Sequence, residues 1–163
     1  MTEAEASKIQ LLQQLAPLIT AISALDLAEP DAAKSRLDAD FPLNGPLLTR
    51  IGAAVSAALD AGWLCPRENA GIRFGRLAKA GPDTAGLGID AVAMNGPGPG
   101  HVHPNGEVDL CFSRSGQPRF DGNPPGWTVY GPGTWHEPTV RDGEMVILYF
   151  LPEGAIHFGP APT

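Results

Sequence analysis

From Trp63 onward the chain falls into short apolar runs, each closed by a glycine or proline turn. The runs are IRFGRLAKA (72–80), GLGIDAVAMN (86–95), EVDLCFS (107–113), GWTVYGP (126–132) and EMVILYFLP (144–152). Each is too short for an ordinary helix, and the apolar residues alternate as they do in a strand with one buried face. Most of the 20 glycines and 17 prolines lie after residue 70, with clusters at 95–100, 113–118 and 122–126. Strands at such regular spacing must bury their apolar faces against one another. The pattern therefore predicts a mainly β fold, an antiparallel sheet closed into a barrel or folded into a sandwich.

The first sixty residues read differently. Ile9, Leu12, Leu15, Ile19 and Ile22 recur at helical spacing over 3–25, and Pro17 is expected to kink or divide that helix. Pro30 can open a second helix over 31–40, and a third runs over 46–61 with Gly62 as its stop. The division expected is a helical segment, 1–62, packed on a β-barrel, 63–163, as one structural unit. The helices carry no chemistry of their own and are compatible with a homodimer contact.

With 43% hydrophobic and 18% charged residues, the 163-residue chain can bury a substantial core. Its formal charge is −7 and its eleven lysines and arginines form no cluster. That argues against nucleic acid and against an anionic membrane surface as partners, since both require a basic face. Cys65 and Cys111, without a secretory signal, read as reduced thiols and place the chain in the cytoplasm.

The chemistry concentrates in GHVHPNGEVD, residues 100–109. Alternate strand residues share a face, so His101 and His103 point the same way. The Pro104-Asn105-Gly106 turn can return Glu107 to that face. His136, after the Pro-Gly turn of YGPGTWHEPTV, is the fourth candidate, on a strand delivered across the barrel. Imidazole and carboxylate together make a ligand set for a divalent transition metal; Fe, Mn, Zn and Ni all suit it. No organic cofactor is called for. Asp109 and Cys111 share the face of Glu107 by alternation, and a carboxylate turned inward needs a partner or a ligand.

His-x-His followed by Glu107, with a later Pro-Gly turn and His136, resembles the two motifs of the cupin superfamily. The chain departs from them at Gly116, which comes later than the first motif's closing glycine. It departs again at Val140, where the second motif carries asparagine. The cupin resemblance implies a jelly-roll barrel. Over roughly 70–160 the runs GPGPGHVHPNGEVDLCF, RFDGNPPGWTVYGPGTWHEPTV and MVILYFLPEGAIHF are similar to the family of 4-hydroxylaminobenzoate lyases. That resemblance implies a cupin-like protein with a helical N-terminal part, acting on a small aromatic carboxylate. The implied reaction turns 4-hydroxylaminobenzoate and water into 3,4-dihydroxybenzoate and ammonia. Glu107 and His136 would be catalytic, with Asp109 and Tyr149 lining the substrate site. An arginine, Arg73 first among Arg73, Arg76 and Arg119, would hold the ring carboxylate. The alternatives on the same scaffold are an iron dioxygenase of a small aromatic or thiol acid and a non-enzymatic small-acid-binding protein.

Overall fold

The computed structural model describes residues 1–163. Three helices open the chain: α1 (Glu3–Ser23), α2 (Pro30–Asp40) and α3 (Pro46–Asp60). Thr2 caps α1, accepting from the Glu5 amide while the Glu5 carboxylate accepts from the Thr2 amide. Pro17 does not divide α1. The proline faces solvent, and the buried stripe Leu11, Leu15, Leu18, Ile19 and Ile22 continues through it on the other side. Ile9, read as part of that stripe, is exposed. Gly62, at φ 84°, ends the third helix as expected.

Nine strands follow: β1 (Arg67–Asn69), β2 (Ile72–Ala78), β3 (Leu87–Met94), β4 (His101–His103), β5 (Glu107–Phe120), β6 (Gly126–Tyr130), β7 (Thr134–His136), β8 (Val140–Pro152) and β9 (His157–Phe158). They form a six-stranded antiparallel sheet, β1-β2-β3-β8-β5-β6, and a three-stranded one, β7-β4-β9. The fold is a cupin-type jelly roll behind a helical segment. Strand pairing does not close it into a continuous barrel; two sheets face each other instead.

Strand alternation gives the large sheet two distinct faces. Ile89, Ala91, Ala93, Val108, Leu110, Val146, Leu148 and Phe150 turn toward the helices and join Leu15, Leu18, Ile51 and Val55 in one core. Met94, Cys111, Met145, Ile147, Tyr149 and Leu151 turn the other way, with Phe120 and Val140, into a smaller core beneath the three-stranded sheet. The Trp127 indole N–H donates to the Phe41 carbonyl at 2.9 Å, tying β6 to the end of α2. No helix is long and apolar enough to cross a membrane.

The cluster 113–118, expected as a turn, lies inside β5. The strand absorbs it by register shifts between Ser113 and Ser115 and between Gly116 and Arg119. Gly116 and Gly143 face each other there at φ 70° and 152°. A Cβ on either would strike the opposing strand's backbone, at Asp142 or at Ser115.

Candidate metal centre

The turn at Pro104-Asn105-Gly106 carries the chain from one sheet to the other. Gly106 takes φ 88°, and its amide donates to the His103 carbonyl at 3.2 Å. His101 and His103 thus stand on β4 of the small sheet, while Glu107 begins β5 of the large one and meets them across the gap. His136 does not come from the far side. It sits on β7, directly paired with His101 on β4. Four ligand-competent atoms, one each from His101, His103, Glu107 and His136, lie within 4.8 Å of one another.

The three imidazoles form a triangle, each ring centroid 4.7 Å from the other two. Their Nδ1 atoms are all engaged outward. His101 Nδ1 meets the Pro99 carbonyl at 3.1 Å, and His136 Nδ1 meets Asp121 Oδ2 at 2.6 Å. His103 Nδ1 meets Thr134 Oγ1 at 3.0 Å; that hydroxyl donates to the Gly131 carbonyl, so it accepts from the ring. Each ring therefore carries a proton on Nδ1 and turns Nε2 inward. His136 Nε2 lies 3.1 Å from His101 Nε2. The Glu107 carboxylate closes the set, 3.1 Å from His103 Nε2, 3.6 Å from His136 Nε2 and 3.7 Å from His101 Nε2.

This donor set fits a cation. Ligand atoms bound to one ion at about 2.0–2.2 Å stand roughly 3–3.5 Å apart, close to the spacings seen. His101, His103 and Glu107 are at most 1% exposed. His103 Nε2 and both Glu107 oxygens have no hydrogen-bond partner, an expensive arrangement for buried polar atoms unless something positive joins them. Burial favours a neutral Glu107, yet the three imidazoles hold its carboxyl well below the usual carboxylate range. Burial likewise opposes charge on His136, but Asp121 and Glu107 together push the imidazole up to about 9. An incoming metal would displace that proton.

Asp121 is the member that sequence reading missed. It sits in the Asp-Gly turn after β5, a pair that reads simply as a turn. Its carboxylate accepts from His136, from the Tyr130 hydroxyl and, at 2.8 Å, from the Thr139 amide. Burial alone would raise its pKa; these donors lower it. Tyr130 in turn stacks on His103 at 5.3 Å.

Beside His101 a cavity of about 740 Å³ opens between the sheets. Ile72, Phe74, Val92, Met94, Ile156 and Phe158 line it, with Arg67, Arg76, Lys79 and Asp90 toward β1 and β2. Tyr149 also lines it, its hydroxyl pushed well above the phenol range, chiefly by burial. Asp109 lies in the same row one strand further on, fully buried between Thr128 and Tyr149, with neither oxygen hydrogen-bonded. Burial and then the Glu107 charge raise its carboxyl well above the usual range. Arg73 is not brought to the cavity. It pairs with Ala93, whose side chain faces the helices, and its guanidinium lies 3.8 Å from Glu144. A one-residue step along a strand reverses the face, so Arg73 and Arg76 point oppositely. Arg119 caps its own turn, donating to the Gly122 carbonyl. Of the residues singled out in the sequence, His101, His103, Glu107 and His136 converge.

The family model for PnbB, 4-hydroxylaminobenzoate lyase, matches residues 13–158. A 4-hydroxylaminobenzoate lyase of Nocardioides sp. (strain LMS-CY) is 30% identical over 125 residues, covering 69% of this chain and 73% of its own length. Another, from Pseudomonas putida, is 28% identical over 129 residues, covering 67% and 72%. Among solved structures, oxalate oxidase in complex with glycolate aligns at 17% identity over 56% of each chain, with a TM-score of 0.42. An RmlC-like cupin protein from Ralstonia eutropha aligns at 13% over 56% of this chain and 62% of its own, with a TM-score of 0.39.

Proposed function

This chain belongs to the 4-hydroxylaminobenzoate lyase family, and on that premise we propose that it converts 4-hydroxylaminobenzoate and water into 3,4-dihydroxybenzoate and ammonia. The N–O bond breaks and its oxygen leaves as water. A second water adds to the neighbouring ring carbon, and a third replaces the nitrogen, which departs as ammonia. The two electrons that nitrogen gains are the two that the ring loses, so no outside oxidant or reductant enters.

His101, His103, His136 and Glu107 would hold a divalent transition metal. When bound, it would supply Lewis acidity toward the hydroxylamino oxygen or a water. Glu107 has two oxygens, so it can serve as a ligand through one and take or release a proton at the other. Thr134, Asp121 and the Pro99 carbonyl fix the three imidazoles, which removes rotational freedom that binding would otherwise have to arrest. The apolar cavity walls take the ring and exclude water from it.

The observation that supports this reading most is the coincidence of a family match over 13–158 with four converging ligand groups, one of which, His101, lines an apolar cavity. The experiment is incubation of the purified protein with 4-hydroxylaminobenzoate under nitrogen, with and without a chelator, following ammonia and catechol. Equal rates with and without oxygen, lost on chelation, are expected. A strict oxygen requirement would point to a dioxygenase instead.

A further inference from the structure

The cavity beside His101 has an apolar middle and a cationic end. Its charged lining is Arg67, Arg76 and Lys79 against a single carboxylate, Asp90. An anion is therefore favoured there, away from the imidazoles. One of the three cations is built differently from the others. Arg76 Nε donates to Asp90 Oδ1 at 2.9 Å, across the directly opposed pair of β2 and β3. That bond engages one N–H of the guanidinium and leaves both terminal nitrogens free. The Arg76 side chain is 46% exposed, so the free fork is accessible. Neither Arg67 nor Lys79 has an ion-pair partner to aim it, and Arg67 stands on the outermost strand.

The row that contains Arg76 runs across the sheet toward the four-ligand cluster. Arg76, Asp90, Tyr149, Asp109 and Thr128 oppose one another in register across β2, β3, β8, β5 and β6, on the inner face. Adjacent strands lie about 4.8 Å apart, which puts Arg76 roughly 14 Å along the sheet from Asp109. Asp109 itself is two residues from Glu107. Between the two ends stand the ring-sized apolar walls. A para-substituted aromatic acid has the same design, with its carboxylate at one end and its reacting group at the other.

We propose that Arg76, held at Nε by Asp90, is the specificity-determining residue that receives the carboxylate of a small aromatic acid and so directs the para substituent toward the four-ligand cluster. This rests on the aromatic-acid reading of the family. A guanidinium already oriented loses little freedom on forming two parallel hydrogen bonds, whereas Arg67 or Lys79 would have to be ordered first.

The test is equilibrium binding of 4-aminobenzoate, which lacks the reactive N–O bond, by calorimetry on the full chain, with 4-aminobenzamide as the uncharged control. Wild type should prefer the acid. Arg76→Gln should weaken the acid by about 10- to 100-fold, the range for a charged hydrogen-bonded pair, and leave the amide unchanged. Arg76→Lys should recover only part of the loss, because a single ammonium cannot replace the fork. Asp90→Asn should lose less than Arg76→Gln, while Arg67→Gln and Lys79→Gln, which remove charge but no aimed fork, should cost the acid no more than a few-fold. In turnover, Arg76→Gln should raise KM and spare kcat. An Arg76→Gln protein that binds the acid normally, an Arg67→Gln protein that loses as much, or a wild type blind to acid against amide would each overturn the assignment. The two readings fail separately. A protein that binds the acid through Arg76 but releases no ammonia overturns the lyase function alone, and one that releases ammonia with KM indifferent to Arg76 overturns this inference alone.

Discussion

Asp121 takes a left-handed φ of 50°, a conformation that aspartate tolerates better than most residues, and three donors converge on its carboxylate. Its short side chain reaches His136 Nδ1 only from that turn. The bond fixes the tautomer that leaves Nε2 free for a cation, and such supporting carboxylates typically carry a 10- to 100-fold effect on metal affinity. Asp121→Asn should thus weaken Zn²⁺ or Mn²⁺ binding by about that factor, read in a competition titration against a chromophoric chelator. Unchanged affinity would make Asp121 a turn residue and nothing more. Glu107 poses the complementary question. Glu107→Gln keeps the shape but removes the negative charge that the three imidazoles face. Ammonia release should be abolished while 4-aminobenzoate still binds in the cavity. Wild-type turnover in that variant would take Glu107 out of the chemistry.

At the scale of elements, β5 and β8 decide most of the architecture, because their alternating residues separate the helix-facing core from the site-facing one. The glycine pair where they cross shows how narrow the backbone's options are. Gly143→Ala would place a Cβ against the Ser115 carbonyl at a φ of 152°, so stability should fall by about 1–3 kcal/mol. Urea unfolding would register this as a lower midpoint; an unchanged midpoint would mean that the bulge relaxes freely. These glycines also mark where sequence reading ran out. The apolar runs and helical stripes located α1, α3, β2, β3, β6 and the core halves of β5 and β8, because burial on a fixed face imposes a period, while Pro30 marked the start of α2. Gly116 and Pro118 looked like a turn, since local chemistry cannot tell a bulge within a paired strand from a reversal. The three-residue strands β4 and β7 surfaced only through their histidines, and β1 and β9 left no apolar period at all. Arg73 and Arg76 were indistinguishable as cations; which one meets the cavity depends on register with β3, a long-range property.

At the scale of the whole molecule, the two cysteines sample the two cores. Cys65 packs with the helices, Cys111 lies beneath the small sheet, and both are free and buried. Burial pushes the Cys65 thiol up to about 11, and burial followed by the carboxylates of Asp109, Glu107 and Asp121 pushes Cys111 well above its ordinary value. Neither should react with a thiol reagent in the folded protein near pH 8, where the thiolate is the reactive form. For stability the sign follows from proton counting. Above the free-thiol value of about 8.5 the unfolded chain releases protons that the native state keeps, so stability is full below that pH and declines as pH rises toward 11. Labelling must then proceed through opening, at a rate that rises about tenfold per pH unit until the free-thiol value is passed. Helices α1 and α3 share a core with the large sheet, and β3, β5 and β8 of that sheet also place residues in the site-side core. Opening either core therefore disrupts β3, β5 and β8, and the two thiols should label with the same denaturant dependence. Mass spectrometry at increasing urea distinguishes the outcomes. Coincident labelling of Cys65 and Cys111 is expected; modification of Cys111 at lower urea, with Cys65 still protected, would show that the site side opens on its own.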